Sequence, residues 1–516
     1  MSSSIVETVS THVEVNPEKP AVIAGKEIVS YRVLWEKTLA AARMLRRLDV
    51  RPQDRVVLSA SASPSFVYGY LAAHLLQAIA VPVDPQSPES RLRYIFEHVR
   101  PKSAFLSKDI SAESGISIFS IKSFEDLSRG IVDYEFPSSE AVADILYTTG
   151  TTGKPKGVVL THEIISRTAR NINRFIGNTG EDREVIPLPL SHSFGLGRLR
   201  CNLLTGGTMI LVNGFAFINN IFRAIEQWRA TALSTVPAGI AMIFRIANDK
   251  MSSYADQLKY MEIGSAPMPF EQKQRLMKLL PKTRIFMHYG LTEASRSTFI
   301  EFHSAGEKLE KSIGISPPNV SVKVVNSQYQ DLTPGQIGKI MVKGENVMKE
   351  YFQNEKMTRE VFNSDWLYTG DFGYLDEDGY IYLEAREKEM INVGGLKVSP
   401  VEIERLLKRH GSIEDCACVG IPDPKGISGE VPKAFIVYNK DYPNRPNDIE
   451  LTDFLRDKLE SYKLPVEFEW IDSVPTTTSG KIRRLSLKPN QRPEQSNRTS
   501  CMEKIIENRR HAEKSG

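Results

Sequence analysis

Hydrophobic positions along the first part of the chain alternate between two rhythms. From Val33 to Leu48, Leu34, Leu39, Ala42 and Leu45 recur near helical spacing and stop at the turn VRPQD. A continuous β-type run, DRVVLSA, follows. Next come an apolar helical stretch around Phe66 to Leu76 and a second β-type run in AIAVPVDP. Strand, helix, strand in that order predicts βαβ units and a parallel sheet. The rhythm continues past residue 200 with TMILV, IFRAIEQW, ALSTVP and KYMEIG. After about residue 312, short β-type runs between turn signals (SVKVVNSQ, GKIMVKG, GYIYLEA) predict a smaller β-rich unit. From Pro400 the order is helix (VEIERLLKRHG), strands (ACVGI, KAFIVYN) and helix (ELTDFLRDKLES), a compact α+β module. The chain shows no internal repeat, and the polar tail from Pro489 reads as a flexible extension or short helix.

The chain has 516 residues, past the ~250–300 at which one hydrophobic core stops growing, so more than one domain is expected. Hydrophobic residues at 41% and charged residues at 25% exclude wholesale disorder. With 66 Lys and Arg against 63 Asp and Glu, the net charge of +3 gives no argument for nucleic acid or an anionic membrane. Apolar runs such as Ala78 to Val83 fall short of the ~20 residues of a membrane span. The start MSSSIVETVS lacks a basic n-region and an apolar h-region, so a cytoplasmic protein is expected. Of Cys201, Cys416, Cys418 and Cys501, the middle pair is too closely spaced for a CxxC site. Free, buried thiols of a reducing compartment are the expectation.

The most informative stretch is DILYTTGTTGKPKGVVLTH, Asp144 to His162. A β-type run enters a loop rich in Thr, Gly and Lys and leaves through another. Glycines let successive N–H groups converge on a phosphate, threonines add donors, and Lys154 and Lys156 add charge. The P-loop register fails, because the glycines are too close and Pro155 stands where Ser or Thr should hold magnesium. No GxGxxG follows a strand, so a dinucleotide fold is not supported. In HYGLTEAS, Tyr289 can stack on a base, Thr292 can donate to a phosphate and Glu293 is a hard ligand suited to Mg²⁺. Asp371, after a Thr-Gly turn, can accept from both ribose hydroxyls, and Lys481 stands in the polar loop VPTTTSGKIRR.

In this order, the four segments closely resemble the adenylate-forming superfamily of acyl-CoA synthetases, nonribosomal peptide adenylation domains and beetle luciferases. The resemblance runs from about residue 10 to 488. It takes in PEKPAVIAGKEIVSYRVLWEK, VRPQDRVVLSAS, AIAVPVDPQSPESRLRYIF, PLPLSHSFG and LESYKLPVEFEWID. It implies an α/β fold with a large N-terminal domain of stacked αβ subdomains plus a small β-rich subdomain, over residues 1–387. A small mobile α+β C-terminal domain would follow over 388–488, then the polar tail 489–516.

The resemblance also implies a chemistry. A carboxylic acid attacks the α-phosphate of Mg²⁺·ATP to give an acyl-adenylate and pyrophosphate, and a thiol then takes the acyl group. Coenzyme A is the favoured thiol over the phosphopantetheine of a separate carrier protein. The phosphate loop would be Thr148, Thr149, Gly150, Thr151, Thr152, Gly153, Lys154 and Lys156, with Thr148 and Glu293 at the metal. Gly264, Ser265 and Ala266 would line one face of adenine and Tyr289 flank it. Thr292, Asp371 and Arg386 would hold the nucleotide, and Lys481 would be the catalytic lysine. Lys388 would be the hinge, and Gly394, Gly395 and Lys397 the loop turned to the thiol. His192, Phe194, Arg198 and Gly290 would form the acid pocket, with His192 read either as its gate or as a structural histidine. Arg198 and Arg296 suggest a polar or anionic substrate, against a salt bridge within the protein. Ala385 replaces the family's glycine before Arg386, and Asn392 stands where some acyl-CoA ligases have a lysine. A non-catalytic nucleotide-binding protein of the same fold is the alternative from another class.

Overall fold

The computed structural model describes residues 4–108, 116–125, 127, 132–148, 155–386, 389–394, 396–424, 429–476 and 482–488. The backbone divides into two units, Met1–Leu383 and Glu384–Gly516.

The first unit contains two large sheets built from the predicted βαβ rhythm. In the seven-stranded sheet, Arg55–Ser59, Ile79–Val83 and Val142–Thr148 run parallel, and Lys156–Thr161 turns back antiparallel on the last of these. In the eight-stranded sheet, Ala232–Thr235, Tyr260–Ile263 and Arg284–Tyr289 are successive parallel neighbours, closed by antiparallel Thr298–Glu301. The apolar stretch predicted around Phe66 to Leu76 is the helix Pro64–Leu75, and every one of its residues is buried. It lacks a polar face because Phe66 and Tyr70 share one core with Leu58 and Leu146 of one sheet and Val22 and Met209 of the other. The amphipathic run at Val33–Leu48 forms the helix Tyr31–Arg47, capped by the Ser30 side chain on the Val33 amide. The change of texture after residue 312 is a mainly antiparallel sheet containing Val320–Val325, Gly338–Gly344 and Trp366–Leu375.

The second unit carries its own core. Ile413–Pro422 pairs antiparallel with Glu430–Tyr438, which pairs parallel with Glu467–Trp470. The helices Pro400–Leu407 and Asp448–Arg456 bury Ile403, Leu407, Leu451 and Leu455 in a cluster with Cys416 and Cys418. Both cysteines and Cys201 are free and buried, as their spacing predicts. Among the described residues no helix is long and apolar enough to cross a membrane.

Candidate active site

The ends of the Thr/Gly/Lys loop are set by a hairpin register. Thr148 pairs with Lys156 across the antiparallel strands, so the chain leaves and re-enters the sheet at one place. Tyr94 Oη donates to the Pro155 carbonyl at 3.1 Å and fixes the exit. Thr149, Gly150, Thr151, Thr152, Gly153 and Lys154 lie outside the described residues, as do Lys388, Gly395 and Lys481.

Lys156 ties the hairpin to the HYGLTE segment through a residue not singled out in the sequence. Its Nζ sits 4.8 Å above the centre of the Tyr351 ring. Tyr351 Oη in turn donates to Glu293 Oε1 at 2.8 Å. Burial, then the Glu293 charge, push the Tyr351 phenol well above its ordinary range, so it remains a donor. Two backbone bonds place it: Met348 N donates to Glu293 O at 2.8 Å, and Phe352 N to Gly157 O at 2.7 Å. Glu293 Oε2 has no hydrogen-bond partner among the described residues. With no cluster of three His, Cys, Asp or Glu among those residues, the donor set is one carboxylate with hydroxyls nearby. That fits Mg²⁺, which takes one or two carboxylates and completes its shell with phosphates and water.

Asp371 is 1% exposed and receives a 2.5 Å hydrogen bond from Tyr289 Oη, so the two expected nucleotide residues meet. Gly264 is required sterically, since a Cβ there would lie 2.1 Å from the His288 ring. Gly290 is required too, because its Cβ would lie 2.4 Å from the Arg296 amide nitrogen. Ser265 (φ 78°) and Arg296 (φ 54°) adopt the left-handed region, which costs a side-chain-bearing residue about 1–3 kcal/mol and is concentrated at functional sites. Ala266 is half-buried and Thr292 lines a cleft beside the turn. Arg386 ends the strand Ile381–Arg386. Gly394 is left-handed at φ 59° between the short strands Ile391–Val393 and Leu396–Val398, the latter containing Lys397.

The residues expected to form the acid pocket gather around the start of one helix. His192 is exposed and precedes the helix Ser193–Thr205. Arg198 is fully buried. Its Nε and Nη2 donate to the Glu184 carboxylate at 2.8 and 2.7 Å, and Nη1 lies 3.1 Å from Glu262 Oε2. Arg296 donates to Glu262 at 3.1 Å and to the Ser193 and Phe194 carbonyls at 3.0 and 3.1 Å. His288 Nδ1 lies 2.7 Å from the same Glu262, and the Phe194 ring packs edge-on against His288 at 4.6 Å. Burial alone raises the Glu262 carboxyl, but Arg296, Arg198 and His288 outweigh it and hold it well below the usual carboxylate range. Both arginines therefore find their counter-charges in Glu184 and Glu262, as buried ions must. The readable signal was a glutamate inside each of the apolar strands REVI and YMEI.

Known proteins agree with this architecture. Residues 9–352 match the AMP-binding enzyme family, and residues 402–481 match the AMP-binding enzyme C-terminal domain. The chain belongs to the AMP-binding enzymes. It is 30% identical over 491 residues to the 2-succinylbenzoate–CoA ligase of Bacillus subtilis, covering 93% of this chain and 97% of that one. It is likewise 30% identical to a feruloyl-CoA synthase of Amycolatopsis over 485 residues, 90% of this chain and 95% of the other. The O-succinylbenzoate coenzyme A synthetase of Bacillus subtilis, solved with ATP and a magnesium ion, superposes with a TM-score of 0.83. Its identity is 27%, with 93% of this chain and 98% of that one covered. This AMP-binding enzyme is thus an AMP-forming acid–thiol ligase of the adenylate-forming superfamily.

Proposed function

We propose that the protein activates a small-molecule carboxylic acid with ATP and transfers the acyl group to coenzyme A. The observation that carries the residue assignment is the Lys156–Tyr351–Glu293 chain. It joins the end of the phosphate loop to a carboxylate suited to magnesium. In the first step a carboxylate oxygen attacks the α-phosphorus, the bond to the bridging oxygen breaks, and pyrophosphate leaves. Two anions must be brought together, so the gain comes from positioning and from neutralising charge on the pentacoordinate phosphorus. Thr148 to Lys156 hold the phosphates in this reading, Asp371 and Tyr289 the ribose and adenine side, and Gly264 to Ala266 the other face of the base. Glu293, with Thr148, would hold Mg²⁺, which when bound neutralises phosphate charge. Lys481 supplies a second positive charge to the transition state. In the second step the thiol sulfur attacks the acyl carbon, the acyl–oxygen bond breaks, AMP leaves, and the thiol proton is released.

Met1–Leu383 carries the nucleotide residues other than Arg386, and Glu384–Gly516 carries Arg386, Lys388, the Gly394 turn and Lys481. Buried free thiols support a cytoplasmic setting. The test is ATP–pyrophosphate exchange on the full chain with Mg²⁺ and a panel of acids, followed by thioester detection with coenzyme A. Acid-dependent exchange that Lys481→Ala lowers by about 10²–10³ is expected. ATP binding without exchange for any acid would favour a non-catalytic nucleotide-binding protein. Exchange without a coenzyme A product would point to a carrier-protein acceptor.

A further inference from the structure

The residues that bracket the Lys481 loop form a stem fixed inside the second unit. Ile482 pairs with Thr476, and Arg483 N donates to the Pro475 carbonyl at 2.8 Å. Ile482 and Leu487 pack in a small core with Val474 and Phe435. Arg484 stands between them with only 12% of its side chain exposed, shielded from the solvent that weakens surface ion pairs. Its Nε and Nη2 donate to Oε1 and Oε2 of Glu404 at 2.9 and 2.7 Å, and its Nη1 donates to Glu389 Oε2 at 2.6 Å.

The two carboxylates belong to different parts of that unit. Glu404 is a buried residue of the helix Pro400–Leu407 and also accepts from the Cys418 amide at 2.7 Å, so it is anchored in the core. Glu389 directly follows Lys388, the residue expected at the hinge, and its amide donates to the Arg386 carbonyl at 2.9 Å. Three nitrogens of one planar fork therefore join the core, the stem of the Lys481 loop and the hinge side of the chain. A lysine has a single nitrogen and cannot make the two-bond fork to Glu404 while also reaching Glu389. A second tie lies at the end of the same segment. Lys488 Nζ donates to Glu430 Oε1 at 3.2 Å, and the other oxygen of Glu430 accepts from the Asn392 amide at 3.0 Å.

We propose that Arg484 is a positioning residue of the adenylation step: it clamps the stem of the Lys481 loop to the hinge side of its unit, so that Lys481 meets the α-phosphate from a rigid support. The inference rests on the adenylation reading and adds to it a residue that touches no substrate. Misplacing a reacting group by about 1 Å can cost about 10²-fold in rate, so partial loosening should show in kcat. Glu389→Ala removes the hinge-side bond and leaves the buried Arg484–Glu404 pair in place. In the full chain it is expected to lower kcat of acid-dependent pyrophosphate exchange about tenfold or more, with KM for ATP and for the acid unchanged. Glu389→Gln keeps an acceptor for Nη1 and should recover most of that loss. Arg484→Lys should lose at least as much as Glu389→Ala, and the double variant no more than Arg484→Lys alone, because both changes break one clamp. Normal kcat in Glu389→Ala, a loss confined to KM, or losses that multiply in the double variant would each overturn the proposal. Amide hydrogen–deuterium exchange reads the clamp without turnover. The amides of residues 482–487 should exchange at least about tenfold faster in Glu389→Ala than in the unaltered protein, and unchanged protection also overturns the proposal. If the unaltered protein supports pyrophosphate exchange with no acid, the adenylation reading fails by itself, and the amide measurement alone decides whether Arg484 clamps the stem.

Discussion

Tyr351 links the proposed phosphate side of the site to its proposed metal side. It donates to Glu293 and carries Lys156 on its ring. Tyr351→Phe keeps the ring and removes only the hydroxyl. A hydrogen bond to a charged group contributes about 1.5–3 kcal/mol, here spent on orienting Glu293. The expected outcome is a Mg²⁺ requirement raised about tenfold at half-maximal exchange, with the thermal transition nearly unmoved. A variant with a normal Mg²⁺ titration would remove Tyr351 from the site. Glu293 itself was legible, because an acid beside Tyr289-Gly290 and Thr292 has an evident use. Tyr351 was not, since an aromatic after GENVMKE reads as core, and only strand pairing brings it beside the hairpin. Glu184 and Glu262 are hard to read for the converse reason: an arginine near a motif stands out, and a glutamate inside an apolar strand does not. At this scale sequence shows which residues have chemistry to offer, and the fold decides which of them are already engaged.

The helix Ser193–Thr205 shows the same limit at the scale of an element. Residues Phe194 to Leu203 are all buried, so no polar stripe marks its inward face and the 3.6-residue rhythm carries no orientation. Of the positions expected to form the pocket, 194 packs against His288 and 198 pairs with Glu184, whereas 193, 197 and 200 line the cleft beside Thr292. Gly197 records the difference, since it is small to admit Arg296. Gly197→Ala should destabilise the protein by about 1–3 kcal/mol through overpacking, read as a lowered midpoint in urea. The neighbouring helix His162–Ile176 makes a pH prediction. His162 is fully buried with neither ring nitrogen partnered among the described residues. Burial, then His74, lower its pKa to about 3. In the unfolded chain a histidine titrates near 6.5. Between those values the unfolded state binds a proton that the folded state refuses, so stability falls as pH drops from about 6.5 toward 3. At about 1.4 kcal/mol per pH unit, taking the protein from pH 7 to 5 should cost about 2 kcal/mol more than it costs His162→Phe. Parallel denaturant curves for the two proteins at both pH values would show the slope to belong elsewhere.

At the scale of the whole molecule, the alternation of rhythms predicted the parallel sheets, the β-rich sheet and the separate α+β module, because each of those is written in local periodicity. The packing of two sheets around one apolar helix is not local, and its trace was only the absence of a polar face in Pro64–Leu75. Division into two units suits a reaction whose two steps need different charges in one place. The first develops negative charge on phosphorus and the second on the acyl oxygen, so a lysine placed for the first has no necessary part in the second. The two steps should therefore separate genetically. Lys481→Ala should lower acid-dependent exchange about 10²–10³-fold while leaving coenzyme A attack on a supplied acyl-adenylate within a few-fold of normal. Gly394→Val should do the reverse. Gly394 holds φ 59°, which a β-branched residue adopts only with strain, so the turn assigned to the thiol should distort while exchange persists. Both steps are measured on each variant, one by pyrophosphate exchange and the other by thioester release from preformed adenylate. Equal loss of both steps in both variants would mean that Lys481 and the Gly394 turn serve one common arrangement, and that the division of labour between the units is wrong.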